Sequence, residues 1–147
     1  MTSSKRRVIT FGTYDLFHIG HLRIIQRARA LGSSLTVGVS SDALNIAKKA
    51  VAPAICQADR MAIVAALREV DEVFLEESLE LKARYLKRYE ADVLVMGHDW
   101  AGRFDHFRDI CEVVYLPRTE GVSSTALKQM IGQTAQRYVA QPAVVTA

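Results

Sequence analysis

His18 and His21 stand three residues apart in the run Gly12-Thr13-Tyr14-Asp15-Leu16-Phe17-His18-Ile19-Gly20-His21. An apolar stretch, Val8–Phe11, precedes the run, and a helical pattern through Leu31 follows it. At that spacing both imidazoles face one side of a first helical turn. The unpaired N–H groups and the positive end of the helix dipole lie at the same place. Strand, glycine turn and histidine-bearing helix start together form a site for phosphate. Gly20 lets phosphates approach the backbone closely.

A second candidate anion cradle lies near the far end of the chain. Arg118 follows an apolar run, Gly121 permits a turn, and Ser123 or Ser124 can cap the next helix. Lys48 and Lys49 follow the second apolar run and read either as phosphate ligands or as a solvated charge pair. Asp15 and Asp42 close loops at the same expected sheet edge. Asp15 suits metal or phosphate organisation and Asp42 ribose contact, or each equally an Asx turn or cap. Arg60 and Arg68 lie on the helix after the lysines, where Arg68 also reads as a plain surface arginine. Gly97-His98-Asp99-Trp100 follows the fourth apolar run, and Trp100 suits a pocket wall or core. His106 and Cys56 have no motif around them.

The elements that must position these residues alternate. Strands are expected at Val8–Phe11, Leu35–Val39, Glu72–Leu75, Val93–Met96 and Glu112–Leu116, short and rich in Val, Ile and Leu as buried parallel strands are. Helices are expected at His18–Leu31, Asp59–Val70, Leu79–Tyr89 and Ser124–Tyr138. The apolar stripe of the second is Ile63, Ala66, Leu67 and Val70, and Gly132 interrupts the last. This alternation predicts an α/β fold: a single Rossmann-like domain with a five-stranded parallel sheet and helices on both faces. Ligands then bind at the carboxyl ends of the strands. Gly12, Ser40, Gly97 and Pro117 all follow strands, so their loops share that edge. A catalytic domain over 1–131 and a C-terminal helical extension with a frayed tail over 132–147 are expected.

The chain has 147 residues, enough for one domain with a real core, and a formal charge of +3. That mild charge suits polyanionic small molecules and does not argue for nucleic acid; Lys5-Arg6-Arg7 reads as a solvated lead-in to the first strand. Two distant cysteines and no secretory leader pattern suit a reduced cytoplasmic protein. No apolar stretch reaches the length of a membrane span.

His18-Ile19-Gly20-His21 matches the H-I-G-H signature of nucleotidyltransferases. The aminoacyl-tRNA synthetases that share it are much longer and carry a Lys-Met-Ser-Lys-Ser-type loop that is absent here. From Val8 to about Ile131 the chain resembles the small bacterial glycerol-3-phosphate cytidylyltransferases. The resemblance rests on Thr10 to His21, Ser41-Asp42 with Asn45, Asp59-Arg60, Met96 to Trp100, and Tyr115 to Ser123. The last segment, an R-T-x-G-[VI]-S form, is shared by cytidylyltransferases acting on glycerol phosphate, phosphocholine and phosphoethanolamine.

The resemblance implies transfer of CMP from CTP to a small phosphate monoester, most simply glycerol 3-phosphate, giving CDP-glycerol for a cell-surface polymer. It implies catalytic roles for His18, His21, Lys48 and Arg118. Nucleotide contacts fall to Phe11, Gly12, Thr13, Tyr14, Asp15, Gly20, Asp42, Gly97, Asp99, Thr119, Val122, Ser123 and Ser124, with Asp99 near the cytosine amino group. Acceptor contacts fall to Lys49, Arg60, Arg68 and Trp100. Mg²⁺ held mainly by substrate phosphates, a homodimer, and no nucleic-acid or membrane partner are also implied. Two departures from the family pattern stand out. His98 replaces the first aspartate of G-D-D-W, and the lysines are adjacent in a loop one residue longer. Other polyol or aminoalcohol phosphates, an adenylyltransferase for a sugar phosphate, and a catalytically silent nucleotide-binding module are the alternatives.

Overall fold

The computed structural model describes residues 5–140. Five parallel strands form one sheet: β1 (Arg7–Gly12), β2 (Ser34–Ser40), β3 (Glu72–Glu76), β4 (Val93–Gly97) and β5 (Glu112–Leu116). Their order is β3-β2-β1-β4-β5, so the direction of winding reverses between β1 and β4. The expected single α/β domain with a five-stranded parallel sheet is what forms. The strands exceed their expected bounds by at most a residue at either end.

Side chains alternate across each strand and feed two cores, one per face. Val8, Leu35, Val37, Val93 and Val95 meet Ile25 and Ala28 of α1 (Ile19–Ala30) and Val64 of α3 (Gln57–Ala65). On the opposite face Ile9, Phe11, Leu94 and Met96 meet Tyr85 and Leu86 of α4 (Lys82–Arg88), with Phe104 and Phe107.

Three expectations about helices change. The stretch after β2, expected as a loop carrying the lysines, is α2 (Asp42–Lys49). Ser41 caps it by accepting the Leu44 N–H at 3.0 Å, Asp42 sits in its first turn, and both lysines sit in its last. The second expected helix stops at Ala65 rather than Val70. Ala66 N–H bonds the carbonyls of both Ala62 and Ile63, and Leu67 N–H reaches Val64, so the turn tightens and the helix ends. The helix thus buries Arg60 and Val64 and leaves Ile63 39% exposed, while Leu67 and Val70 reach the core from the turns that follow. The third begins as a short 3₁₀ turn, Leu79–Leu81, before α4.

The last helix, α5 (Ser124–Ala140), runs through Gly132 without a break. The expected frayed tail from 141 lies outside the described residues. None of the described helices is long and apolar enough to cross a membrane.

Candidate active site

At the carboxyl ends of β1, β4 and β5 lies a cavity of about 370 Å³. It opens where the strand order reverses, the place such sheets use for ligands. Gly12, Gly97 and Pro117 reach it as expected, whereas Ser40 does not line it; its carbonyl instead accepts from Arg60 at 2.9 Å.

The floor is the start of α1. His18 is its N-cap, and a reciprocal capping box joins the two histidines. Gly20 N–H donates to His18 Nδ1 at 3.1 Å, and His18 N–H donates to His21 Nδ1 at 3.2 Å. The rings stack with centroids 3.8 Å apart. Both Nδ1 atoms are therefore acceptors, which places the proton of each neutral ring on Nε2. Burial holds His18 below its ordinary value. Burial, with His18 beside it and Asp15 pulling the other way, brings His21 down to about 4. At neutral pH the pair presents two neutral N–H donors to the cavity. A Cβ on Gly20 would lie 2.9 Å from the His18 ring and 3.1 Å from Val122, so the glycine also lets the opposite wall close on the helix start.

That opposite wall is the β5–α5 segment. Arg118, Thr119, Val122, Ser123 and Ser124 all line the cavity. Ser123 caps α5 by accepting the Ala126 N–H at 3.0 Å, and the start of the helix, Ser124 and Thr125, stands at the cavity wall. From the β4 loop come Gly97, Asp99 and Trp100. Asp99 and Arg118 pair across the mouth at 2.6 Å, with side chains 56% and 68% exposed. His98 is exposed beside them and does not line the cavity.

Asp15 is the hub of the third wall. It accepts N–H bonds from Ala54 at 2.8 Å and Ile55 at 3.0 Å, and an ion pair from Lys128 at 2.9 Å. Burial alone would raise its carboxyl, but Lys128 and the two N–H groups hold it below the ordinary range. The Ser124 hydroxyl also donates to the Asp15 carbonyl at 2.7 Å. One residue thus joins the β1 loop, the segment after α2 and the start of α5. Phe11, Thr13 and Tyr14 line the cavity next to it.

Four of the expected site residues do not line the cavity: Lys48, Asp42, Arg60 and Arg68. Lys49 lines it, whereas Lys48 is half-buried and lies close enough to Glu76 to feel its charge. Glu76 and Lys82 form a buried ion pair at 2.8 Å, with Lys82 Nζ 3.6 Å from the Phe11 ring centroid. Arg60 is fully buried and ties four groups: the carbonyls of Thr13 (2.6 Å), Ser40 (2.9 Å) and Ile55 (2.8 Å), and the carboxylate of Asp42 (2.7 Å). Asp42 is thereby engaged in the frame. Arg68 is exposed.

Lys128 is a cavity residue that the motifs do not reveal. Its signal is its place one helical turn after Ser124, on the same face. Asn45 also lines the cavity, where it accepts from the Thr13 hydroxyl at 2.9 Å.

The cytidylyltransferase-like family model matches residues 9–130. A glycerol-3-phosphate cytidylyltransferase of Bacillus subtilis (strain 168) is 45% identical over 126 residues, 86% of this chain and 97% of the relative. That of Staphylococcus aureus (strain NCTC 8325 / PS 47) is 44% identical over 124 residues, 84% of this chain and 93% of the relative. A crystal structure of the lipopolysaccharide core biosynthesis protein from Thermoplasma volcanium GSS1 superposes with a TM-score of 0.70 at 20% identity. It covers 79% of this chain and 99% of that one, a likeness of fold.

Proposed function

Because the chain belongs to the cytidylyltransferase-like family, we infer that it transfers CMP from CTP to glycerol 3-phosphate, giving CDP-glycerol and pyrophosphate. The observation that carries the reading is the convergence of His18, His21, Arg118 and two helix N-termini on one cavity at the switch point of the sheet. Every one of these groups donates hydrogen bonds or carries positive charge.

Such a set suits in-line displacement at phosphorus. An oxygen of the acceptor phosphate forms a bond to the α-phosphorus of CTP. The bond from that phosphorus to the bridging oxygen breaks, and pyrophosphate leaves with the electron pair. A phosphate monoester is largely dianionic near neutral pH, with a second pKa of about 6, so the attack needs no strong base. The protein's part is then positioning and charge stabilisation. The Nε2–H groups of His18 and His21 donate to the oxygens on which charge builds. Arg118, released from Asp99, meets phosphate, and Lys49 and Lys128 add positive charge on the cavity wall. Asp99, freed in the same exchange, accepts from the cytosine amino group.

Mg²⁺ would enter this site as a substrate-borne ion, since the cavity's carboxylates Asp15 and Asp99 are both engaged by cations. The ion would ride on triphosphate oxygens and water and neutralise their charge. The resemblance also implies a homodimer, which sedimentation equilibrium tests.

The decisive experiment is pyrophosphate release from CTP, and from ATP as control, with a panel of phosphate monoesters and mass identification of the product. CDP-glycerol from CTP and glycerol 3-phosphate is expected. Turnover with ATP alone, or CTP binding without turnover on any acceptor, would overturn the reading.

A further inference from the structure

The segment between β5 and α5 carries Arg118, yet few polar contacts hold it. Among the described residues, Pro117 to Val122 has two polar tethers to the rest of the chain. One is the Arg118–Asp99 ion pair, more than half exposed on both sides. The other is Arg27 of α1, whose Nη1–H donates to the Pro117 carbonyl at 2.9 Å. Proline has no N–H, so that carbonyl is its one backbone hydrogen-bonding group. Beyond it, Gly121 at φ +81° has open space around it.

The two tethers differ in one respect. The ion pair consists of groups that line the cavity, and a nucleotide that engages either partner breaks it. Arg27 does not line the cavity, so its bond survives substrate binding. It also stands on a fixed base, because Ile25 and Ala28 on either side of it are fully buried against the sheet. His18 caps that same helix nine residues earlier, about 13 Å along its axis.

We propose that Arg27 is a positioning residue: it pins the Pro117 backbone to α1 and so aims Arg118 at the phosphates held by the histidines of the same helix. The two walls of the site are thereby referred to one rigid body. This proposal rests on the reading above, in which Arg118 meets phosphate.

A double-mutant cycle tests it. Arg27→Ala is expected to lower kcat/KM for CTP roughly tenfold in the otherwise unaltered chain, by misaiming a phosphate ligand. In an Arg118→Ala background the same change is expected to cost less than about twofold, because the residue it serves is gone. Arg27→Lys, which still donates to the carbonyl, recovers part of the loss and guards against a variant that does not fold. Equal factors in the two backgrounds, or no loss in the first, would overturn the proposal. Limited trypsin cleavage without substrate gives an independent reading. The Arg118–Thr119 bond is expected to be cut faster in Arg27→Ala, and an unchanged rate counts against the tether. Absence of CTP turnover in the unaltered chain would sink the functional reading alone, since the cleavage result does not depend on it.

Discussion

His18 and His21 work as neutral donors because the backbone occupies their other nitrogens. Each Nδ1 accepts an N–H bond, and burial keeps both rings from taking up a second proton. Two consequences are measurable. Removing a donor aimed at developing charge costs on the order of 10²–10³ in turnover. His18→Ala and His21→Ala should each lose at least that much kcat with an unchanged circular dichroism spectrum, and near-normal turnover in either would defeat the assignment. The second consequence concerns stability. In the unfolded chain His21 has its ordinary value of about 6.5 and is protonated at pH 5. In the folded chain, with a value of about 4, it is not. The unfolded state therefore binds more protons between those values, and stability falls as pH drops through that window. His18 acts in the same direction, and Asp15, held below the carboxylate range, acts only at lower pH. The urea midpoint should fall from pH 7 to pH 5, and His21→Gln should shrink that fall. Equal falls in both proteins would argue against a buried neutral ring.

At the scale of elements, the site depends on struts that never touch the cavity. Arg60 joins the β1 loop, the end of β2, the start of α2 and the segment before α3 through one buried guanidinium. Arg60→Ala leaves three carbonyls and the Asp42 carboxylate without that partner, at a cost of about 3 kcal/mol. Arg60→Lys should recover only part of it, because an ammonium cannot serve four acceptors in a plane. Chemical denaturation measures both, and a loss under about 1 kcal/mol for the alanine variant would mean the strut is idle. The strands were legible in the sequence because each centres on a short apolar run; the three inner strands are buried on both faces, and β3 and β5, at the edges, are part-buried. Helix α2 was not legible, since its eight residues make only about two turns, bury only Leu44 and Asn45 and leave Ile46 49% exposed, too short a pattern to stand out. The same helix decides between the adjacent lysines. Neighbours on a helix point about 100° apart, which sends Lys49 to the cavity and Lys48 toward Glu76. The phosphate motifs at His18–His21 and Arg118–Ser123 were readable because backbone turns and helix starts constrain their residue types. Lys128 and Arg27 act from helix faces, where a solitary cation looks like any solvated one.

Across the whole molecule, the family match stops at residue 130, and among the described residues the last polar bond from α5 to the body is Lys128 to Asp15. Past that point the described side chains of α5 are exposed, with Met130 at 61%, Ile131 at 57% and Val139 at 88%. An isolated helix of this length is marginal in water, so its stability comes from what it packs on. Here that is its first two turns, tied by Ser123, by the Ser124 hydroxyl on the Asp15 carbonyl, and by Lys128. Phosphate binding needs only the N–H groups and the dipole at the start of α5, which falls off within a turn. Ending the chain after Gly132 should therefore leave kcat for CTP and glycerol 3-phosphate within about twofold, because every group that lines the cavity remains. The same truncation should preserve the stabilisation that CTP confers, about 2.7 kcal/mol at one hundred times its dissociation constant. A thermal shift with and without CTP measures this. A tenfold loss of turnover, or a vanished CTP shift in a chain that still unfolds cooperatively, would place the distal half of α5 inside the catalytic unit. An exposed helix could act there only by packing on something other than the described body, and the truncation that abolished turnover would then also change the sedimentation coefficient.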